Sequence, residues 1–207
     1  MANHVNTYVS LVFDNEEAGK AKLQELYSRL EGWGEEGKYD WNLHDIFGIP
    51  ETDELDEHGN PTGPGTYSWN IENMGAKWAY IEDADEDAFR VVSAWGVPTE
   101  AIEYILKELA EADPDVRAEI TAEDEFPNWV YAAVADGKDG IYDNVEWQWE
   151  EIMEHICDTY EEVRVGWDAD ENDFFDNAEG EAARDFMYEV LWEEISEWQM
   201  GQIEDMI

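Results

Sequence analysis

Carboxylates recur at every fourth position in two runs of the C-terminal third, Glu146, Glu150, Glu154, Asp158 and Glu162, then Glu181, Asp185, Glu189, Glu193 and Glu197. Each run is threaded by apolar residues at helical spacing: Trp149, Ile152, Ile156, Tyr160 and Val163 in the first, Met187, Leu191, Ile195 and Trp198 in the second. This pattern predicts two amphipathic helices. On a helix, side chains four apart lie on neighbouring turns about 6 Å apart along the axis, so each run makes a ladder of negative charge. Like charges at that spacing cost a few tenths of a kcal/mol per pair. A chain that accepts the cost repeatedly must keep one face of each helix in solvent or set it against a basic surface.

The rest of the chain decides whether such helices have anything to pack on. Asp and Glu number 54 against 11 Lys and Arg, a formal charge of −43 in 207 residues. A balance of this kind with few apolar residues gives disorder. Here 43% of residues are hydrophobic, with 11 Trp, 10 Tyr and 7 Phe, enough for a packed core. Self-repulsion weakens such a fold at low ionic strength, and salt screens it. Direct binding to nucleic acid or to an anionic membrane is disfavoured, and a basic protein surface is the expected partner. A single cysteine, Cys157, rules out an internal disulfide. No signal-like leader and no run of about 18 apolar residues is seen, so a cytoplasmic protein is the expectation.

His4 to Phe13 alternates as a first strand, and Asp14 or Asn15 caps a helix carrying Leu23, Leu26, Tyr27 and Leu30. Asp40 to Pro50 is an apolar anchor without clear period, and residues 51–65 form an acidic loop with Asn60-Pro61 and Pro64-Gly65 as turn signals. Thr66 to Ile81 reads as a strand, a tight passage at Asn73 to Gly75, and a second strand. Phe89 to Trp95 makes the next strand. Thr99 is expected to cap a helix whose apolar face is Ile102, Ile105, Leu106 and Leu109. Val116 to Ala122 and Trp129 to Val134 pair as a hairpin, and Gly137 to Gly140 closes the domain. The expected fold class is α+β, an antiparallel sheet with helices on one face over residues 1–140, followed by an acidic helical extension, 141–207, packed on it.

The stretches TYSWNIENMGAKWAY, FRVVSAWGVPTEAIEYILKEL, DVRAEI and NWVYAAVADG carry a Trp-x-x-Glu-Asn-x-Gly-x-Lys-Trp block, here Trp69, Glu72, Asn73, Gly75, Lys77 and Trp78, with Trp95 and Pro98 before the next helix. In this the chain resembles a ferredoxin-like-domain family of phage- and plasmid-encoded proteins of largely unassigned function. The resemblance covers about residues 1–140, best over 66–137. It implies a ferredoxin-like core and a mobile-element origin, and no activity.

Two segments could bind something other than a partner surface. The central block gathers Glu72, Asn73 and Lys77 between two tryptophans, although Gly75 and Asn73 also suit a turn and the tryptophans a core, which is the expected reading. Asp168, Asp170, Asn172, Asp176 and Glu179 fall on positions 1, 3, 5, 9 and 12 of an EF-hand calcium loop, with Asp173 where the glycine should be and Gly180 at the start of the exiting helix. In so acidic a region chance matches are common, and a solvated loop competes with calcium binding. His4, His44, His58 and His155 show no metal-ligand spacing. No nucleophile elbow, phosphate loop or dinucleotide fingerprint is present, so no enzyme is expected and no cofactor other than that calcium.

Residues 139–207 hold 23 acidic and two basic side chains, a net of −21 in a third of the chain. That asymmetry favours a DNA mimic, a binding protein whose two ladders, aided by Glu100, Glu103 and Glu111, occupy the basic groove of a host nucleic-acid-binding protein in restriction, nuclease, CRISPR or transcription machinery. Adaptation to a saline or marine environment is the alternative, and it predicts a more even coat of charge.

Overall fold

The computed structural model describes residues 3–35, 40–50, 55–169 and 171–207. The chain runs through β1 (His4–Val12), α1 (Glu16–Tyr27), β2 (Trp41–Asn42), a 3-10 turn (Leu43–Phe47), α2 (Tyr67–Met74), β3 (Ala79–Ala84), β4 (Ala88–Ala94) and α3 (Thr99–Leu109). It continues as β5 (Arg117–Asp124), β6 (Trp129–Asp136), β7 (Gly140–Gln148), α4 (Trp149–Thr159), α5 (Glu161–Arg164), β8 (Trp167–Asp168), β9 (Asp173–Phe174) and α6 (Ala178–Met206). The fold is α+β. Seven strands form one sheet in the order β2-β3-β4-β1-β5-β6-β7, every neighbouring pair antiparallel, and β8 and β9 make a separate ribbon.

Alternation in β1 puts Val5, Val9 and Leu11 on one face of the sheet, where they join Leu23 and Leu26 of α1 and Ile102, Ile105 and Leu109 of α3 in a fully buried core. The entry to α1 is fixed twice. Asn15 accepts a hydrogen bond from the Ala18 amide, and the buried Asp113 carboxylate accepts from the amides of Asp14 at 2.8 Å and Asn15 at 3.1 Å. A buried carboxylate there satisfies donors that a helix start would otherwise leave orphaned. Thr99 is the first residue of α3 rather than its cap, a place taken by Pro98.

The segment expected as a strand from Thr66 is instead helix α2, closed by Gly75 in the left-handed conformation at φ 82°. Its buried positions are Asn70 and Met74, one helical turn apart, while Tyr67 and Ile71 are exposed. Asn70 donates to the Lys77 carbonyl and accepts from the Gly65 amide, tying both flanks of the helix together.

The expected domain end at Gly140 is a turn into β7, which pairs with β6 from Gly140 to Gln148. The sheet therefore runs on to Gln148, and the helical part begins at Trp149. β6 is buried on both faces: Tyr131, Ala133 and Ala135 belong to the α1–α3 core, Val130, Ala132 and Val134 to clusters under α4 and α6. α6 lies on the second face through Ala183, Met187, Leu191, Ile195, Gln199 and Ile203, each the fourth residue from the last. The buried Gln199 amide donates to the carbonyls of Ala122 and Tyr131, both at 3.2 Å, and so pins the helix to β5 and β6.

At the start of α6, Gly180 is required by close approach: a Cβ there would collide with the Phe175 carbonyl oxygen, which is backbone and has little room to shift. Ala has the better helix propensity by about 1 kcal/mol, yet overpacking costs about 1–3 kcal/mol. Gly180→Ala is therefore expected to lower stability by up to about 2 kcal/mol in urea denaturation. A variant more stable than the parent would show that the approach is not rigid.

Candidate acidic interface

α4 and α6 run antiparallel. Trp147 stacks on Trp198 at 5.0 Å between ring centroids, His155 meets Glu194, and Tyr160 meets Glu194 and Phe186, so partners in α6 fall in number as those along β7 and α4 rise. The seam is polar at its centre. Glu194, only 14% exposed in its side chain, accepts from the Tyr160 hydroxyl at 2.6 Å and from the His155 imidazole at 2.7 Å. The Tyr160 hydrogen bond, helped by His155 against partial burial, holds the Glu194 carboxyl below the usual carboxylate range. Tyr160 is correspondingly pushed up to about 12, chiefly by the same hydrogen bond, and stays a donor. Spacing alone did not single out Glu194, because it lies beside the ladder position Glu193.

Each helical residue turns about 100°. Measured from the seam residues, His155 in α4 and Glu194 in α6, the buried pairs Ile152 and Ile156, and Leu191 and Ile195, lie about 60–100° to one side. Glu154 and Asp158, and Glu193 and Glu197, lie about 60–100° to the other. Because the helices are antiparallel, the same sense of rotation carries both rows to one side of the pair, away from the core. Glu150, Glu154 and Asp158 of α4, Glu162 of α5, and Glu181, Asp185, Glu189, Glu193 and Glu197 of α6 are all exposed. The α6 row is about 24 Å long with rungs about 6 Å apart, and packed helix axes stand about 8–10 Å apart. Where the two rows lie side by side, over the roughly 12 Å from Glu150 to Asp158, they give about one charge per 3 Å of axis, against about one per 1.7 Å in duplex DNA.

Glu146 does not belong to these rows. It lies on strand β7, where side chains alternate, and opposes Tyr131 across the ladder, on the α3 side of the sheet. Its neighbour Trp147 points to α4 and α6. The carboxylates of Glu100 and Glu103 in α3, and of Glu111 just beyond its end, serve the first face: Glu103 accepts from the Ile141 amide, Glu111 pairs with Lys22, and Glu100 accepts from the Thr99 hydroxyl. On α6 itself, Tyr188 and Trp192 are about half exposed on the flank turned away from α4. Their exposure puts two aromatic side chains beside the acidic row.

The EF-hand-like segment is built as a ribbon. Asp168 lies in β8 and its carboxylate accepts from the Glu171 amide at 3.4 Å; Asn172 turns the chain at φ 53°; Asp176 is exposed, and Glu179 is exposed in the first turn of α6. Asp170 lies outside the described residues. The left-handed residue thus stands at position 5 of the loop, one before the place where an EF-hand needs it. Among the described residues no group of three or more His, Cys, Asp or Glu side chains is placed to hold a metal ion. In the central block Trp69 and Trp78 are partly buried, Asn73 donates to the Trp69 carbonyl at 3.0 Å, and the Lys77 ammonium stands over the Trp95 ring, 4.8 Å from its centre.

No helix among the described residues is long and apolar enough to cross a membrane. Comparisons with protein-family models, with curated proteins and with solved structures found no match to this chain.

Proposed function

We propose that the chain is an acidic binding protein of phage type that imitates the charge of a nucleic acid and inhibits a basic, nucleic-acid-binding host protein in the host cytoplasm. The reading is carried by one observation: the carboxylate rows of α4 and α6 share the solvent side of an antiparallel helix pair. A groove that binds duplex DNA presents Lys and Arg to phosphates on two strands and gains affinity by releasing counterions. Two rigid carboxylate rows fit such a groove, and the long-range field steers a fast, salt-sensitive encounter. Tyr188 and Trp192 supply aromatic area of the kind that anchors protein interfaces. We also assign the core to the ferredoxin-like class. Strands β3-β4-β1-β5 are neighbours in that order, with α1 joining β1 to β3 by way of the intervening loop and α3 joining β4 to β5, which is the split βαβ arrangement.

The test is displacement. Host-lysate proteins held on immobilised duplex DNA are challenged with the protein at low salt, and a nuclease, restriction or transcription protein should elute. The triple variant Asp185→Asn/Glu189→Gln/Glu193→Gln should need at least about ten times the concentration, with a shallower salt dependence. Equal displacement by the variant would overturn the reading.

Salt adaptation is the competing reading, favoured by the exposed carboxylates of α1 and α3 on the other face of the sheet. It is separated by thermal melts. A fold that melts cooperatively in dilute buffer supports mimicry, and one that forms only in molar salt supports adaptation.

A further inference from the structure

A cleft of about 410 Å³ opens on the α3 side of the sheet, on the opposite face from the two carboxylate rows. Trp95, Trp129 and Tyr131 form its aromatic lining, and Thr99, Asn144 and Glu146 its polar part. Register puts the polar groups there: Glu146 opposes Tyr131 and Asn144 opposes Ala133, so both side chains project from the face that α3 covers. Glu146 is oriented by the Gln148 side-chain amide, which donates to it at 3.0 Å.

Trp95 is the unusual member. It is 54% exposed and adopts φ 74°, a left-handed conformation that a bulky side chain rarely takes. The turn is held by its own amide, which donates to the Asn3 carbonyl, and by the Ser93 hydroxyl, which donates to the Gly96 carbonyl at 2.7 Å. An exposed indole held in that conformation is not used for core packing. It already attracts a cation, since the Lys77 ammonium lies 4.8 Å from its ring centre, and Lys77 stands outside the lining of the cleft.

We propose that this cleft is a binding site for an organic cation, and that its occupant is the guanidinium of an arginine side chain presented by a peptide or protein. Aromatic faces attract cations through the ring quadrupole, and guanidinium adds flat stacking to that attraction. The remaining groups choose among cations. Glu146, Asn144 and Thr99 offer acceptors, which a quaternary ammonium ion cannot use and a planar fork of N–H donors can. The Tyr131 hydroxyl, its pKa pushed up to about 12 by burial and then by the Glu146 and Glu103 charges, stays neutral beside the site. The site does not rest on the mimicry reading, because none of its residues belongs to the α4 and α6 rows.

The test is calorimetric titration of the intact protein with the blocked tripeptide acetyl-Gly-Arg-Gly-amide. The same peptide with citrulline, the neutral isostere of arginine, free arginine and tetramethylammonium are run alongside. Saturable binding of the arginine peptide is expected, at least about ten-fold tighter than the citrulline peptide or tetramethylammonium. Glu146→Gln keeps shape and removes charge; Trp95→Gly removes the ring where glycine accepts the backbone conformation. Each should weaken binding at least about ten-fold, while Glu189→Gln/Glu193→Gln leaves it unchanged. Free arginine binding as tightly as the peptide would assign the site to the amino acid instead of a side chain. Equal affinity for the citrulline peptide, or loss of binding only in the α6 variant, would overturn the proposal.

Discussion

Glu194→Ala is expected to cost about 2–4 kcal/mol of stability at pH 7, from two hydrogen bonds to a charged group at about 1.5–3 kcal/mol each, partly offset by water entering the seam. The seam has little else to hold its polar centre: the carboxylate takes Tyr160 on one oxygen and His155 on the other, and all three come from the contact of α4 with α6. Glu194→Gln should recover part of the loss, because its amide oxygen still accepts from Tyr160. The pH dependence separates charge from shape. A carboxyl held below its unfolded value stabilises the fold above that unfolded value, near 4.3, and the contribution disappears as pH falls through the folded value. The difference between parent and Glu194→Ala in urea melts should therefore be largest at neutral pH and shrink below about pH 4. A difference that stays constant down to acid pH would mean that Glu194 acts by packing alone.

The same seam explains which parts of the sequence could be read. Period-four carboxylates marked both helices, because an exposed row and a buried row at the same spacing cannot mix on one cylinder. Antiparallel pairing, which brings the rows to one side, depends on contacts between Trp147 and Trp198 and between Tyr160 and Phe186 that are far apart in the chain. Counting fours places Glu146 on the ladder only because the count runs across a boundary: from Trp149 onward the period is helical, but at Glu146 it is the strand's two. Tyr67, Trp69 and Ile71 alternate like a strand, yet the helix buries Asn70 and Met74, half-buries Trp69 and leaves Tyr67 and Ile71 exposed, so the alternation did not mark a sheet face. The Gly75 terminator was the better signal, since a left-handed glycine closes many helices. Trp95 was legible as the end of a strand before Pro98, but its exposed, left-handed conformation was not, because it is set by the Asn3 and Gly96 carbonyls.

Charge is distributed over the two faces with different consequences. On the α1–α3 side carboxylates meet cations: Lys22 lies within 4 Å of Glu25, Glu108 and Glu111, and Arg29 bonds Glu108 at 3.0 Å. In the α4–α6 region Arg164 and Arg184 pair with the local Glu161 and Asp173, off the rows. Neutralising carboxylates on the rows should consequently raise stability at low salt while weakening partner binding. This opposition is expected of a surface kept for a partner at some cost to the fold.

Glu123 carries the opposite pH signature to Glu194. It lies on β5 between Asn6 of β1 and Val130 of β6, and burial raises its carboxyl to about 7 against a weaker pull from Arg90. The Arg90 guanidinium is itself engaged by Glu82 at 2.7 Å, which leaves it little to offer Glu123. Between about pH 4.5 and 7 the folded chain keeps a proton on Glu123 that the unfolded chain has released. Stability must then fall as pH rises through that window, because the folded state binds more protons. Glu123→Gln removes the titration with little change of shape. Its stability relative to the parent should be near zero at pH 4.5, rise through the window, and level off above pH 7 at up to about 3 kcal/mol more stable. Urea melts of both chains at half-unit steps from pH 4.5 to 8 measure this directly. A gap that is flat with pH, or one that closes as pH rises, would show that Glu123 is charged and well solvated in the fold. Together with Glu194, which loses its contribution on the acid side, a proton-binding Glu123 places the stability maximum of this acidic protein below neutrality, where self-repulsion is also partly relieved.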